Sequence, residues 1–194
     1  MIKRVTIFCA SSRMVDEKYY NDTRQLANIL VENGITAVYG GGDVGLMGEL
    51  ADTMLHAGGQ VEGVIPEFMM KVEWGHKSIK KMSIVKDMHE RKKLLIDKTD
   101  GVIALPGGTG TLEELMEVIS LKRLGKFVKP IIILNTDGFY DTLIGFFEKM
   151  IEEKFLRAEH RTMWNVIDTP DKLMDAFRNA ARWDEDAINI AAVS

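Results

Sequence analysis

Residues 101–125 read GVIALPGGTGTLEELMEVISLKRLG, an apolar run followed by a glycine-rich turn and an amphipathic stretch. The pattern predicts a strand over Gly101–Leu105 and a helix over Leu112–Leu124. Glycines let successive backbone N–H groups of the turn face an anion, and the helix dipole favours negative charge there. Thr109 and Thr111 add hydroxyl donors. Because no Gly-Lys-Ser/Thr closes the turn, it is not a Walker A loop, and nucleoside-triphosphate hydrolysis is not expected.

The same order of strand and helix repeats along the chain on both sides of this stretch. Short β-branched runs predict further strands at Val5–Cys9, Ile35–Tyr39, Val61–Ile65, Ile84–Val85, Ile131–Leu134 and Trp164–Ile167. Amphipathic stretches predict helices at Lys18–Val31, Leu46–His56, Met88–Lys98, Phe139–Lys154 and Asp171–Arg182. The alternation predicts an α/β fold, a doubly wound parallel sheet with helices on both faces. Such sheets bind ligands past the carboxyl ends of their strands.

Length and composition indicate one globular domain. The 194 residues are 46% apolar and 28% charged, and we expect a single domain over 1–183 with a loose C-terminal tail over 184–194. A net charge of −4 argues against a nucleic-acid partner. The longest apolar run, around Ile131–Leu134, is far too short to cross a membrane. A single cysteine, Cys9, fits a reducing compartment, so a cytoplasmic location is expected.

A further glycine-rich turn, called the first glycine turn because it precedes the second glycine turn at 106–111 in the chain, follows the predicted strand that ends at Tyr39. It contains G-x-G-x-x-G at Gly40, Gly42 and Gly45, with Glu67 placed 22 residues beyond Gly45. This is the outline of a dinucleotide-binding fingerprint. The same glycines are equally expected in a tight strand-to-helix turn where two backbones approach each other.

Four further segments carry polar residues near the expected ligand edge. Thr111-x-x-Glu114 has the spacing of a capping box, which leaves Glu114 with either a helix-capping or a chemical role. Residues 87–93, DMHERKK, read as a solvated helix start, although their place before the Gly101–Leu105 strand favours a functional position. Ser11 and Ser12 present hydroxyls to a ligand or cap a helix. The irregular segment 67–81 is typical of a lid or binding loop.

The paired motifs resemble those of the Lonely Guy family, which are cytokinin riboside 5′-monophosphate phosphoribohydrolases once mislabelled as lysine decarboxylases. The resemblance covers about residues 5–170, and it includes FCASS at 8–12, YGGG at 39–42, GLMG at 45–48, GVIP at 63–66, MHERK at 88–92 and PGGTGTLEE at 106–114. It implies a Rossmann-like fold, usually a homodimer, and hydrolysis of an N-glycosidic bond without a metal or redox cofactor. It makes the turn at Gly40 a wall on the substrate side instead of a dinucleotide site.

The resemblance also assigns residues. It implies that Arg91 and Glu114 are catalytic. The substrate-binding residues that we predict are Glu73, Arg91, Lys92, Gly108, Thr109, Gly110, Thr111, Leu112, Glu113, Ser120, Ser11, Ser12, Gly41 and Gly42. Ala10 stands where the family usually has glycine, and Ser120 stands where plant members tend to have threonine. These departures leave the preference for the base open.

Several activities remain as alternatives. A general AMP nucleosidase would use the same scaffold, and a non-catalytic nucleotide sensor or molybdenum-cofactor-type carrier would use the turn only for binding. An NAD-dependent oxidoreductase is less favoured. Lysine decarboxylation is not expected, because it needs pyridoxal phosphate and no lysine lies in the turn to form the Schiff base.

The helix after the turn carries more apolar residues than one sheet-facing stripe requires. These are Leu115, Met116, Val118, Ile119, Leu121 and Leu124. The surplus favours a homodimer in which this helix and the one near Arg91 lie close to the partner.

Overall fold

The computed structural model describes residues 2–70 and 75–191, and within them the α/β prediction is confirmed. Its strands are β1 Arg4–Phe8, β2 Thr36–Tyr39, β3 Val61–Pro66, β4 Lys81–Val85, β5 Gly101–Ala104, β6 Ile131–Leu134 and β7 Asn165–Ile167. Its helices are α1 Glu17–Glu32, α2 Gly45–His56, α3 Met88–Ile96, α4 Thr109–Arg123, α5 Asp141–Glu152, α6 Leu173–Asn179 and α7 Ala187–Ala191. The predicted strand at Ile84–Val85 is longer than expected, since it begins at Lys81 and pairs with β3 along its length.

The strands form one sheet in the order β4-β3-β2-β1-β5-β6-β7, and every neighbouring pair is parallel. From β1 the sheet extends through β2 and β3 to β4 on one side. The chain then crosses to the other side of β1, where β5, β6 and β7 follow in order. The loops after β1 and β5 therefore diverge to opposite faces. This is a topological switch point, where an open α/β sheet leaves a crevice for a ligand.

Both faces of the sheet are covered, as strands with nearly continuous apolar sequence require. Alternate residues of β1 show the arrangement: Val5 and Ile7 join the core beneath α1 and α2, whereas Phe8 joins the core beneath α4 and α5. In the part of the chain that the structure describes, no helix is long and apolar enough to span a bilayer.

The region that we expected to be loose, 184–194, contains α7. Ala187 at the start of α7 is 2% exposed, and the backbone of Glu185 packs against Gly125, which follows the C-cap of α4 and has a φ of +68°. A Cβ at residue 125 would lie 2.4 Å from the Glu185 carbonyl oxygen, so glycine lets the two segments meet.

Lys122 near the end of α4 is a buried charge whose Nζ donates to the carbonyl oxygen of Lys129 at 2.7 Å. Burial lowers the pKa of Lys122 to about 8. Between about pH 8 and 10.5 the native amine loses its proton while the unfolded chain keeps its own, so stability rises with pH.

We therefore expect the free energy of unfolding of the parent protein to rise with pH, relative to Lys122→Met, by up to about 3 kcal/mol across that interval. Urea titrations at several pH values measure the difference. A constant difference between the two proteins would contradict the buried-charge assignment.

Candidate active site

Arg91 lies in the first turn of α3 and points into the crevice. The turn is fixed because the Asp87 side chain accepts from the backbone N–H of Glu90 at 2.9 Å, as an N-cap does. Arg91 is only 4% exposed. Its guanidinium donates to the carbonyl oxygens of Val64 and Gly40, each at 3.2 Å. A buried guanidinium with this many fixed partners is a rigid positive charge.

The glycines of the first glycine turn leave room for the Arg91 guanidinium and for the backbone of Ser11 and Ser12. A Cβ at Gly40 would lie 2.3 Å from Nη2 of Arg91, so a side chain there would displace the guanidinium. Gly45 has a φ of +62°, and a Cβ there would lie 2.5 to 2.7 Å from backbone atoms of Ser11 and Ser12. Packing within the chain therefore accounts for these glycines without a dinucleotide.

Glu114 faces Arg91 instead of capping its own helix. The structure places the N-cap of α4 at Gly108, with Thr109 as the first helical residue, so Thr111 lies inside the first turn. The capping-box interpretation, which required Thr111 as the N-cap, is wrong. The Oε1 atom of Glu114 lies 3.5 Å from Nη1 of Arg91, and the glutamate side chain is 12% exposed. A carboxylate and a fixed cation thus share one side of the crevice.

The crevice is a cleft of about 320 Å³ that contains both residues. Its polar lining is formed by Ser11, Ser12, Arg91, Thr109, Thr111 and Glu114, and the remainder by Cys9, Ala10, Met47, Met69, Met88, Gly108 and Gly110. The switch point between β1 and β5 therefore brings together the serine loop, the second glycine turn and the start of α3.

Gly108 and Gly110 differ from the glycines of the first turn. Apart from the neighbouring residues and the helix's own backbone, no atom of the described chain would lie within 4 Å of a Cβ at either position, and neither residue has a positive φ. Neither internal packing nor backbone conformation explains glycine here. Both residues line the cleft at the N-terminus of α4, where backbone N–H groups and the helix dipole favour an anion.

Several residues that we predicted to bind substrate lie away from the cleft lining in this single chain. Lys92 bridges α3 to α4 through Glu113 at 2.5 Å and Glu117 at 3.3 Å, and its hydrogen bond with Glu113 raises the pKa of the lysine. Ser120 donates to the carbonyl oxygen of Met116 at 2.7 Å. Leu112 is likewise outside the lining.

In the first glycine turn, Gly41 and Gly42 are likewise outside the cleft lining. The carbonyl oxygen of Gly41 accepts from the His76 backbone N–H at 3.0 Å, and that of Gly42 accepts from the Tyr39 hydroxyl at 2.9 Å. Glu73, another predicted substrate contact, lies outside the described residues. Its binding role, like those of Lys92, Leu112, Glu113, Ser120, Gly41 and Gly42, stays a prediction.

Sequence reasoning missed the thioether side of the cleft. Met47, Met69 and Met88 all line it. The chain has 12 methionines, a high count that is also typical of adaptable core filler. The useful signal was their position, since Met47 and Met88 lie inside the two motifs that flank the cleft.

Together, the switch-point cleft, the open glycine turn and the buried Arg91–Glu114 pair define a Rossmann-like protein whose candidate site has the chemistry to suit a small anionic ligand. Solved structures agree on the fold. The molybdenum cofactor carrier protein of Chlamydomonas reinhardtii superposes with a TM-score of 0.70 over 93% of this chain and 98% of its own, at 16% identity. The molybdenum cofactor binding protein of Rippkaea orientalis gives a TM-score of 0.68 over 92% and 96%, at 17% identity.

Sequence relatives are more specific. A family model described as "Possible lysine decarboxylase" matches residues 47–177. A probable cytokinin riboside 5′-monophosphate phosphoribohydrolase of Oryza sativa subsp. japonica is 45% identical over 92% of this chain and 80% of its own. A cytokinin riboside 5′-monophosphate phosphoribohydrolase of Arabidopsis thaliana is 46% identical over 87% and 77%. The chain belongs to the Lonely Guy family, to which these relatives and this family model correspond.

Proposed function

We propose that this protein hydrolyses the N-glycosidic bond of adenine-type, cytokinin nucleoside 5′-monophosphates to the free base and ribose 5-phosphate. The observation that carries the proposal is the buried Arg91–Glu114 pair beside an open glycine turn at a helix N-terminus. Relatives at 45% and 46% identity carry the name of this activity, which supports the same substrate class.

The phosphate end of the substrate supplies binding energy. The backbone N–H groups of Gly108–Thr111 and the hydroxyls of Thr109 and Thr111 suit a 5′-phosphate. Holding the phosphate fixes the ribose in the cleft, so binding energy remote from the reacting bond positions that bond.

The reacting end lies at the charged pair. As the bond from C1′ to the base breaks, positive charge develops on the ribose, and the Glu114 carboxylate stabilises it and orients the attacking water. The base departs with the electron pair of that bond, and Arg91 offsets the charge that it gains. Water adds its oxygen to C1′ and releases a proton, and the base takes up one proton.

Product analysis tests the reaction. Incubation with AMP and, separately, with isopentenyladenosine monophosphate should give free base and ribose 5-phosphate in equal amounts, as resolved by chromatography. Comparing the two rates measures the preference for an N6 substituent. Release of a nucleoside and inorganic phosphate would identify a phosphatase instead, and absence of turnover would leave a binding protein.

Two other functions would use the same cleft. A general AMP nucleosidase differs only in base preference, which the two substrates separate. A carrier that binds without catalysis resembles the solved neighbours in fold, but at 16% and 17% identity the likeness extends to fold alone. The Glu114 carboxylate, held 3.5 Å from a buried arginine, favours a catalytic function over binding without catalysis.

We further propose that the protein works as a homodimer in the cytoplasm. Cys9 is buried and is the single cysteine of the sequence, so no disulfide can form within the chain, which fits a reducing compartment. Of the apolar residues that we expected at the interface, Leu115, Val118 and Ile119 are buried in this chain's own core and Met116 and Leu121 pack against it. Leu124 is 44% exposed and could contribute to a two-fold interface, so the support for the homodimer comes mainly from the family resemblance. Sedimentation at micromolar concentration measures the assembly, and a monomer would contradict it.

The open space at Gly110 leads to a prediction with opposite signs for stability and activity. In Gly110→Ala the new methyl group meets no atom of the described chain outside its own helix backbone and neighbouring residues, so we expect the helix to be stabilised by about 0.5 to 1 kcal/mol. The same methyl group occupies substrate space, so we expect KM for the nucleotide to rise about tenfold or more.

Gly145→Ala is the matched control, because Gly145 is also helical and lies on α5, outside the cleft lining. A Cβ there would likewise meet no described atom outside its own helix backbone and neighbouring residues. It should gain similar stability and keep the parent KM. Thermal melts and initial rates on the three proteins measure both quantities. Equal KM values in all three would contradict the phosphate site.

A further inference from the structure

A buried tyrosine from the loop before α5 hydrogen-bonds to the backbone at the start of the second glycine turn. Tyr140 precedes α5 and is 2% exposed. Its hydroxyl donates to the carbonyl oxygen of Leu105 at 2.7 Å, at the residue that joins β5 to the turn. The backbone N–H of Gly107 approaches the same hydroxyl. Tyr140 thus contacts the turn without lining the cleft.

The cleft side of the same turn is packed as closely. A Cβ at Gly107 would lie 2.1 Å from Oγ1 of Thr111, so Gly107 lies directly against the first turn of α4. The backbone at Gly107 therefore contacts both the Thr111 side chain and the Tyr140 hydroxyl. Any movement of this backbone redirects the N–H groups that follow it.

Tyr140 is itself held in place by a second buried polar residue. The Oδ1 atom of Asn135 accepts from the Tyr140 backbone N–H at 2.6 Å, and its Nδ2 donates to Asp141 at 2.8 Å. The backbone of Asn135 is anchored to β7 through Ile167 at 2.8 Å. Burial raises the pKa of Tyr140 well above its usual range, so the hydroxyl keeps its proton at every working pH.

We infer that Tyr140 is a positioning residue for the phosphate site: its hydroxyl sets the Leu105–Gly107 backbone so that the N–H groups of residues 108–111 converge on the phosphate. The inference rests on the proposed function. Tyr140 acts on the turn through the Leu105 carbonyl and is not among the residues that line the cleft, so its loss should weaken phosphate binding more than it slows bond cleavage.

Tyr140→Phe removes the hydroxyl and leaves the buried carbonyl of Leu105 without this donor. We expect the Kd of ribose 5-phosphate and the KM of AMP each to rise about tenfold, with kcat changed by less than about threefold. The affinity for adenosine, which lacks the phosphate, should stay at the parent value.

Tyr39→Phe is the matched control. Tyr39 is equally buried, and its hydroxyl donates to the carbonyl oxygen of Gly42 at 2.9 Å in the first glycine turn. It should lower thermal stability to a similar extent while leaving the Kd of ribose 5-phosphate unchanged. A role of Tyr140 in stability alone predicts the same outcome for both variants.

Calorimetry keeps the test independent of turnover. If Tyr140→Phe binds ribose 5-phosphate as the parent does, or loses affinity for adenosine to the same extent, the inference is overturned while the hydrolase proposal stands. If the parent hydrolyses no nucleotide, the proposed function fails, and the calorimetric comparison still tests Tyr140. Should Tyr140→Phe not fold, Asn135→Ser loosens the same tyrosine, and it must weaken ribose 5-phosphate selectively or the inference fails.

Discussion

Glu114→Gln should lower kcat by about 100-fold or more, which corresponds to roughly 2.7 kcal/mol of barrier or more. Glutamine keeps the shape of the side chain and an oxygen that accepts from Arg91, but it removes the charge that faces the forming oxocarbenium ion. KM should change little, because the phosphate contacts lie elsewhere. Steady-state kinetics and circular dichroism together separate lost chemistry from lost fold.

Glu117→Gln is the control for this change. Glu117 lies on the same helix and pairs with Lys92 at 3.3 Å, outside the cleft lining. Its removal should leave kcat within about twofold of the parent, as surface substitutions usually do. Parent-level turnover by Glu114→Gln with the fold intact would require another carboxylate, and Glu73 is the first candidate.

Arg91→Lys should lower kcat/KM by about 100-fold as well. The lysine keeps the charge but loses the planar fork, which donates to Val64 and Gly40 while facing Glu114. The contacts to Val64, Gly40 and Glu114 are made by three different nitrogens, whose positions a single ammonium nitrogen cannot reproduce, so the cation loses its fixed position. Arg161→Lys, a change in an exposed pair with Glu148, should leave the rate at the parent value. An active Arg91→Lys would show that charge alone suffices.

The sequence predicted the sheet well because parallel buried strands have continuous apolar runs. The start of α4 was placed one turn too late. Gly110 is a poor helix former and threonine only an average one, so the apolar period begins at Leu112 although the helix begins at Thr109. That first turn needs no apolar residue because it faces the cleft. The same error made Glu114 look like part of a capping box.

The placing of individual side chains was harder to predict. Arg91 and Lys92 are adjacent in sequence, but successive residues on a helix point about 100° apart. Arg91 therefore enters the cleft while Lys92 reaches across to Glu113. Tyr140 could not be linked to Leu105 from the sequence, since 35 residues separate them and only the pairing of β5 with β6 brings them together.

A crystal structure of Glu114→Gln with bound AMP tests the central claim, that the turn after β5 holds the 5′-phosphate, most directly. We expect phosphate oxygens within about 3 Å of the backbone N–H groups of Gly108–Thr111. The ribose should lie between the phosphate and residue 114, with the base on the side of Arg91. A phosphate bound instead to the turn at Gly40–Gly42 would contradict the account.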